Sequence, residues 1–202
     1  MKFDLQPGDQ VLDIGSGGYP FPYATVLTDR FLEKSPYRCE SLVRDNKPFL
    51  LSDICELPFG DKSFDFVYCS HVLEVVESPL RACAEIMRVG KRGFIETPTA
   101  GKDMLFAWAR NLQKWHVVDI GSNLCFFEYS GRQLDGVRSS IWRDHIMSEW
   151  GNPFQEIFYE NQDIFNVMFT WENQFSVFIF RLDGTVRVLN ADVEACSQLA
   201  HL

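Results

Sequence analysis

The chain has 202 residues, 46% of them hydrophobic and 18 of them Phe, which is enough apolar side chain for one domain with a sizeable core and excludes a disordered polypeptide. Its apolar runs are far shorter than a membrane span and MKFDLQPGDQ at the start carries no signal-peptide stretch, so a cytoplasmic protein without membrane attachment is expected. A formal net charge of −9 disfavours nucleic acid as a partner, and six Cys without any C-x-x-C pair read as reduced, buried thiols with no metal site.

Residues 1–98 alternate short β-rich runs with turn and helix signals. Strands are predicted at 10–14, 24–29, 48–53, 64–69 and 92–96, each nearly continuous in apolar residues, as in a parallel sheet buried on both faces. Between the fourth and fifth, Ser78 suits an N-cap, Pro79 the first helical position and Gly90 the C-terminal stop. Leu80, Cys83, Ala84 and Met87 recur at helical spacing, so this helix is expected to lay one face on the sheet. Beyond Thr99 the periodicity weakens. Helices are plausible near 102–113 and 137–149, and 115–129 reads as a hairpin turning at Gly121-Ser122-Asn123. The runs 164–171 and 175–182, joined by Glu172-Asn173-Gln174, predict an antiparallel edge hairpin. The expected fold is α/β: a doubly wound, mostly parallel seven-stranded sheet with that hairpin at its edge. One domain should span 1–190, with 100–163 as an inserted substrate-covering region and 191–202 as a peripheral tail.

The segment VLDIGSGG, 11–18, runs a strand through Asp13 into a glycine loop, where Gly15 and Gly17 allow backbone to approach a ligand closely. Asp29 ends the second strand and Asp53 the third. Ligands of open α/β sheets lie outside the carboxyl ends of the strands, where Asp29 could accept both hydroxyls of a ribose and Asp53, with the apolar residues after it, could bracket an adenine. For Asp29 the alternative is a helix N-cap or a solvated side chain.

These residues carry a resemblance. VLDIGSGG, the Asp of VLTD, DICELPFGDKSFDFVYCSHVLEVVESP and AEIMRVGKRGFIETP together resemble the class I S-adenosylmethionine-dependent methyltransferases, in the small-molecule, type 11-like branch with its D-x-x-x-L-P-F, S-F-D-x-V and R-V-x-K-x-G blocks. The resemblance covers about the first half of the chain and implies a Rossmann-like methyltransferase fold with S-adenosylmethionine as cofactor. By position, it implies that Asp13, Gly15 and Gly17 line the methionine moiety and that Asp29 holds the ribose. Asp53 would face the adenine amino group with Ile54 adding backbone contacts, and Ser70 and His71 would sit near the methyl group. Leu57-Pro58-Phe59 is either part of that site or a structural turn.

The chain departs from the family where Tyr19 replaces a third glycine and Pro20 and Pro22 follow. Only about nine residues separate Ile14 from Ala24, too few for a crossover helix, so a turn or loop is expected there. For a hydroxyl acceptor the candidate bases are His71, His116 and Glu96, each with an alternative as a packing, surface or turn-capping residue. Trp108, Trp115, Phe126, Phe127, Tyr129 and Trp142 are expected to be mostly core, with some walling the acceptor site. The expected function is methyl transfer to a small-molecule or natural-product acceptor. The alternative is a catalytically silent methyltransferase fold whose aromatic 100–165 region meets a protein partner or a homodimer face. A nicotinamide dehydrogenase is disfavoured, because GSGGYP lacks the G-x-G-x-x-G that opens a helix.

Overall fold

The computed structural model describes residues 3–38, 40–105, 112–130 and 153–191. The strands β1 (Val11–Ile14), β2 (Val26–Asp29), β3 (Phe49–Leu51), β4 (Phe64–Ser70) and β5 (Gly90–Pro98) follow the predicted runs closely, and α1 (Pro79–Val89) precedes β5. They form a sheet in the order β3-β2-β1-β4-β5-β8, in which β8 (Asn166–Glu172) is antiparallel to β5. All the other pairings in this sheet are parallel. The order reverses between β1 and β4, and the carboxyl ends of those two strands flank the crevice where open α/β sheets bind ligands.

The expected seven-stranded sheet divides into six strands and a second sheet of four, in the order β10-β9-β7-β6. The 115–129 hairpin forms as read, from β6 (Trp115–Ile120) and β7 (Asn123–Glu128). The second expected hairpin does not form. After β8 the chain turns at Asn173, which has a φ of 61°, and buries Phe175 against Phe169 and Trp171 at 5.2 and 5.5 Å between ring centroids. The Phe175 N–H meets the Met87 sulfur of α1, and β9 (Ser176–Phe180) emerges in the other layer, parallel to β7. An apolar anchor in the link thus outweighs the hairpin geometry that a short connection favours. β10 (Val186–Leu189), not anticipated, pairs antiparallel with β9.

α1 buries Ala82, Cys83, Ile86, Met87 and Val89. Ser78 stands at its N-cap without a side-chain capping bond. Gly90 is extended with a φ of −103°, so the helix ends by passing directly into β5 and not in a left-handed glycine. The ammonium of Lys62 closes that end by donating to the Met87 and Gly90 carbonyls at 2.7 and 2.9 Å.

One continuous core joins α1, one face of the main sheet and the second sheet, with Leu12, Val67, Ile95, Val117, Leu124 and Val177 buried in it. The opposite face is covered by an aromatic cluster of Phe3, Phe21, Phe49, Phe66 and Phe94. The β1–β2 connection is a loop, as its length requires, and 30–48 between β2 and β3 is also without a helix among the described residues. Winding therefore persists in strand order more than in helices.

The helix expected near 102–113 is α2 (Ala100–Leu105), and 112–114 is not helical. The one expected near 137–149, Trp108, Trp142 and the tail beyond 191 lie outside the described residues. Two helices not anticipated, α3 (Pro153–Glu160) and α4 (Gln162–Phe165), lead into β8. Among the described residues no helix is long and apolar enough to cross a membrane, and no group of His, Cys, Asp or Glu could hold a metal ion.

Candidate active site

The crevice at β1 and β4 opens into a cavity of about 610 Å³. Asp13, Gly15, Gly17, Asp29, Asp53, Ile54, Ser70 and His71 all line it. Glu96 and His116 do not, although Glu96 reaches the wall through Ser70, whose hydroxyl donates to Glu96 Oε2 at 2.9 Å.

The glycine loop is shaped as much by the chain as by any ligand. Gly15 has a φ of +72°, and its N–H and that of Ser16 donate to the Thr28 carbonyl at 2.8 and 3.0 Å. A Cβ at Gly15 would stand 2.4 Å from Val72 Cγ2. One at Gly18 would stand 2.7 Å from Glu40 Cβ, and the Val43 N–H donates to the Gly17 carbonyl at 3.0 Å. Residues 40–43 therefore pass directly over one side of the loop.

Asp13 is 2% exposed and accepts from the Phe21 N–H at 2.7 Å. It organises the segment that replaces the first crossover helix. Burial pushes its carboxyl up to about 7, against the opposing pull of the Phe21 N–H and the Lys47 charge.

At the end of β2, Asp29 Oδ1 accepts from the Phe31 N–H at 2.8 Å. Asp29 Oδ2 accepts from the Gly17 N–H and from Arg38 Nη1, both at 3.1 Å. The Asp29 and Arg38 side chains are only 11% and 8% exposed. The same guanidinium donates to the Phe31, Leu32, Glu33 and Glu40 carbonyls. At the end of β3, Asp53 accepts from the Cys55 N–H at 2.9 Å and pairs with Arg30 at 3.4 Å in a solvated setting. Ile54 is buried beside it, and Phe31 and Tyr37 stack at 5.7 Å on the same side. The hydroxyls of Ser16 and Ser52 are buried in this wall without partners among the described residues.

Such a lining suits an adenosyl ligand: carboxylates at two strand ends for ribose and purine, an apolar side at Ile54, and orphaned hydroxyls that a polar ligand can satisfy. Asp53, Ile54 and Ser52 would hold the adenine end, Asp29 the ribose, and the 13–17 loop the amino-acid end.

Beyond β4 lies a second constellation. His71 adopts a φ of +55°, an uncommon conformation for a non-glycine residue and of the kind concentrated at functional sites, and its N–H is held by the Glu96 carbonyl at 2.9 Å. Its Nδ1 lies 3.4 Å from Glu74 Oε1 and its Nε2 lies 3.2 Å from Lys102 Nζ. In a neutral ring these partners favour the proton on Nδ1, donating to the carboxylate, with Nε2 accepting from the ammonium. Lys102 also donates to Asn166 Oδ1 at 2.6 Å, and burial lowers its pKa. Glu74 is 3% exposed and its Oε2 has no partner among the described residues. Next to Lys102, Asp103 accepts from Tyr129 Oη at 2.9 Å and Gln113 Nε2 at 3.0 Å, and burial pushes it up to about 6.

The 115–129 hairpin docks at this same end of the sheet: the Trp115 indole N–H donates to the Val76 carbonyl at 2.8 Å and the Lys114 N–H to the Glu74 carbonyl. His116 points instead toward Phe127 and Tyr129. Its Nδ1 is buried without a partner among the described residues, and burial lowers its pKa. Trp115 and Phe126 are core and Phe127 stacks on Phe180, so among these described aromatics none walls the cavity.

Arg38, Glu74, Lys102 and Asn166 were not legible as site residues. Only Glu74 had a local signal, three residues after His71 within the same motif block. Leu57-Pro58-Phe59 proves to be a turn: Leu57 is buried, its N–H donates to Glu85, and Arg88 takes the Leu57 and Phe59 carbonyls.

Strand order and the switch-point cavity are those of a Rossmann-like α/β fold that binds its ligand outside the carboxyl ends of the strands. Residues 12–95, about two fifths of the chain, match a family model described as a methyltransferase domain. A demethylmenaquinone methyltransferase of Renibacterium salmoninarum is 36% identical over 92 residues, covering 43% of this chain and 39% of the relative, so the chain spans about two fifths of that protein's length. Among solved structures, the YcgJ protein from Bacillus subtilis is similar at 25% identity and a TM-score of 0.37, over 45% of this chain and 44% of that one. A chain of the complex between the Haloferax volcanii Trm112 methyltransferase activator and a methyltransferase is similar at 14% identity and a TM-score of 0.49, over 85% of both.

Proposed function

We propose that the chain is an enzyme that binds S-adenosylmethionine in the switch-point cavity and directs its methyl group to a small-molecule acceptor. The observation that carries this reading is the convergence of Asp13, Gly15, Gly17, Asp29, Asp53, Ile54, Ser70 and His71 on one cavity. When bound, the cofactor supplies an electrophilic methyl and leaves as the thioether S-adenosylhomocysteine.

The residues of this chain position and handle the proton. His71 stands at the cavity wall with Glu74 behind Nδ1, which holds the ring and favours the imidazolium once a proton arrives. A hydroxyl acceptor would lose its proton to Nε2 when the Lys102 ammonium has turned aside or deprotonated. Glu96, through Ser70, would orient the acceptor and not remove the proton. His116, off the cavity, would act on this end only through Tyr129 and Asp103. The similarity to a demethylmenaquinone methyltransferase makes aromatic quinols the first acceptors to examine.

Calorimetry tests the cofactor step. S-adenosylmethionine and S-adenosylhomocysteine should bind and NAD should not, and absence of S-adenosylhomocysteine binding would remove this reading. The second reading, a silent fold that meets a protein partner, is favoured by one observation, the occupation of Asp29 by Arg38. Cofactor binding with no release of S-adenosylhomocysteine across a panel of quinols, phenols and amines would select it.

A further inference from the structure

We propose that Arg38 governs recognition of the ligand's ribose: it holds part of Asp29 and must release it before that carboxylate can take both ribose hydroxyls. The proposal rests on the adenosyl-ligand reading of the cavity. An ionised carboxylate offers about four acceptor positions. On Asp29 three are taken, by the Phe31 N–H, the Gly17 N–H and Arg38 Nη1. One is left, and a ribose diol needs two.

The Phe31 and Gly17 donors are backbone groups fixed at the strand end and in the glycine loop. Arg38 is the only one of the three that a side-chain rotation can withdraw. Withdrawal does not strand a bare cation, because the Phe31, Leu32, Glu33 and Glu40 carbonyls remain as its acceptors. Those carbonyls also make Arg38 the tie that shapes residues 31–38 and Glu40, where the described part of the β2–β3 connection has no helix. The tie extends to the glycine loop, since Glu40 lies against Gly18 and Val43 is bonded to Gly17. Ribose binding and the packing of 31–43 are therefore coupled through one ion pair.

The test compares S-adenosylhomocysteine with its 2′,3′-dideoxy analogue by calorimetry on the full chain, in the wild type, Arg38→Met and Arg38→Lys. A hydrogen bond to a charged group is worth roughly tenfold or more in affinity. The wild type should prefer the hydroxylated ligand by about threefold or less and Arg38→Met by at least about tenfold more, with Arg38→Lys, which lacks the fork geometry, in between. An unchanged ratio in all three proteins overturns the role of Arg38 while leaving the cofactor reading intact. Failure of both ligands to bind any of the proteins overturns the cofactor reading, and the proposal with it. Tighter wild-type binding of adenosine 2′-monophosphate than of S-adenosylhomocysteine also overturns it, since Arg38 would then be a phosphate ligand. Should Arg38→Met fail to fold, the wild type and Arg38→Lys decide: a larger preference for the hydroxylated ligand in Arg38→Lys than in the wild type supports the proposal, and an equal preference overturns it.

Discussion

Arg88, on the last turn of α1, donates from Nη2 to the Leu57 carbonyl at 2.9 Å, across 31 residues of sequence. Its Nη1 takes the Phe59 carbonyl at 2.7 Å, while Glu85, one turn earlier, binds both the Leu57 N–H and the guanidinium. The two blocks D-x-x-x-L-P-F and R-V-x-K-x-G are thus each other's partners, and their chemistry is architectural. Arg88→Ala should lose about 2–3 kcal/mol of stability, as hydrogen bonds to a charged group typically contribute. Urea denaturation measures it. A loss under about 0.5 kcal/mol would place Arg88 among ordinary surface ion pairs.

Gly15 is required twice, by its φ of +72° and by Val72. Gly15→Ala should destabilise by about 2–4 kcal/mol, from a left-handed alanine plus a clash. Val72→Ala removes only the clash. The double variant should therefore lose at least about 1 kcal/mol less than the two single losses added together. Simple additivity would show that the Val72 contact is relieved by movement elsewhere.

Asp13 makes stability depend on pH. Its folded value near 7 lies above its unfolded value of about 3.8, so the native state holds the proton longer than the unfolded chain. Stability should fall as pH rises from 4 to 7, by about 4 kcal/mol from this group alone, and level off above. Asp13→Asn should match the wild type near pH 4, exceed it at pH 8, and flatten the slope between. Parallel curves for the two proteins in urea titrations at successive pH values would exclude the burial argument.

The Glu74–His71–Lys102 chain predicts a proton on His71 Nδ1, readable from the ¹⁵N shifts of the ring without any acceptor. Equal population of both tautomers would undo the assignment. With an acceptor in hand, the proposal that Glu74 orients His71 as base predicts that Glu74→Gln lowers turnover about tenfold to a hundredfold while S-adenosylhomocysteine affinity stays within about twofold, since Glu74 does not line the cavity. Burial lowers the Lys102 pKa, so turnover should rise on the alkaline side as the ammonium leaves Nε2. Lys102→Met should abolish that rise.

The amino-acid sequence alone determined the first five strands, α1 and the residues that line the switch-point cavity, because each is a local pattern: an apolar run ending in Asp13, Asp29 or Asp53, or a glycine loop after β1. Topology then carries such strand ends to one edge without further information. The 115–129 hairpin was legible for the same reason, since its turn and its two runs are adjacent. What tertiary structure decided was which layer a strand joins and which side chains meet across the fold. β9 is apolar at four of its five residues, a run that suits either sheet, and Phe175 packed against Phe169 and Trp171 sends it to the second. Arg38 on Asp29 and Lys102 on His71 are pairings between segments 9 and 31 residues apart, formed through loops and a short helix that carry no periodicity. Period and spacing specify what a segment can become. The partner that satisfies a buried charge is chosen only when the packed chain has removed water from around it.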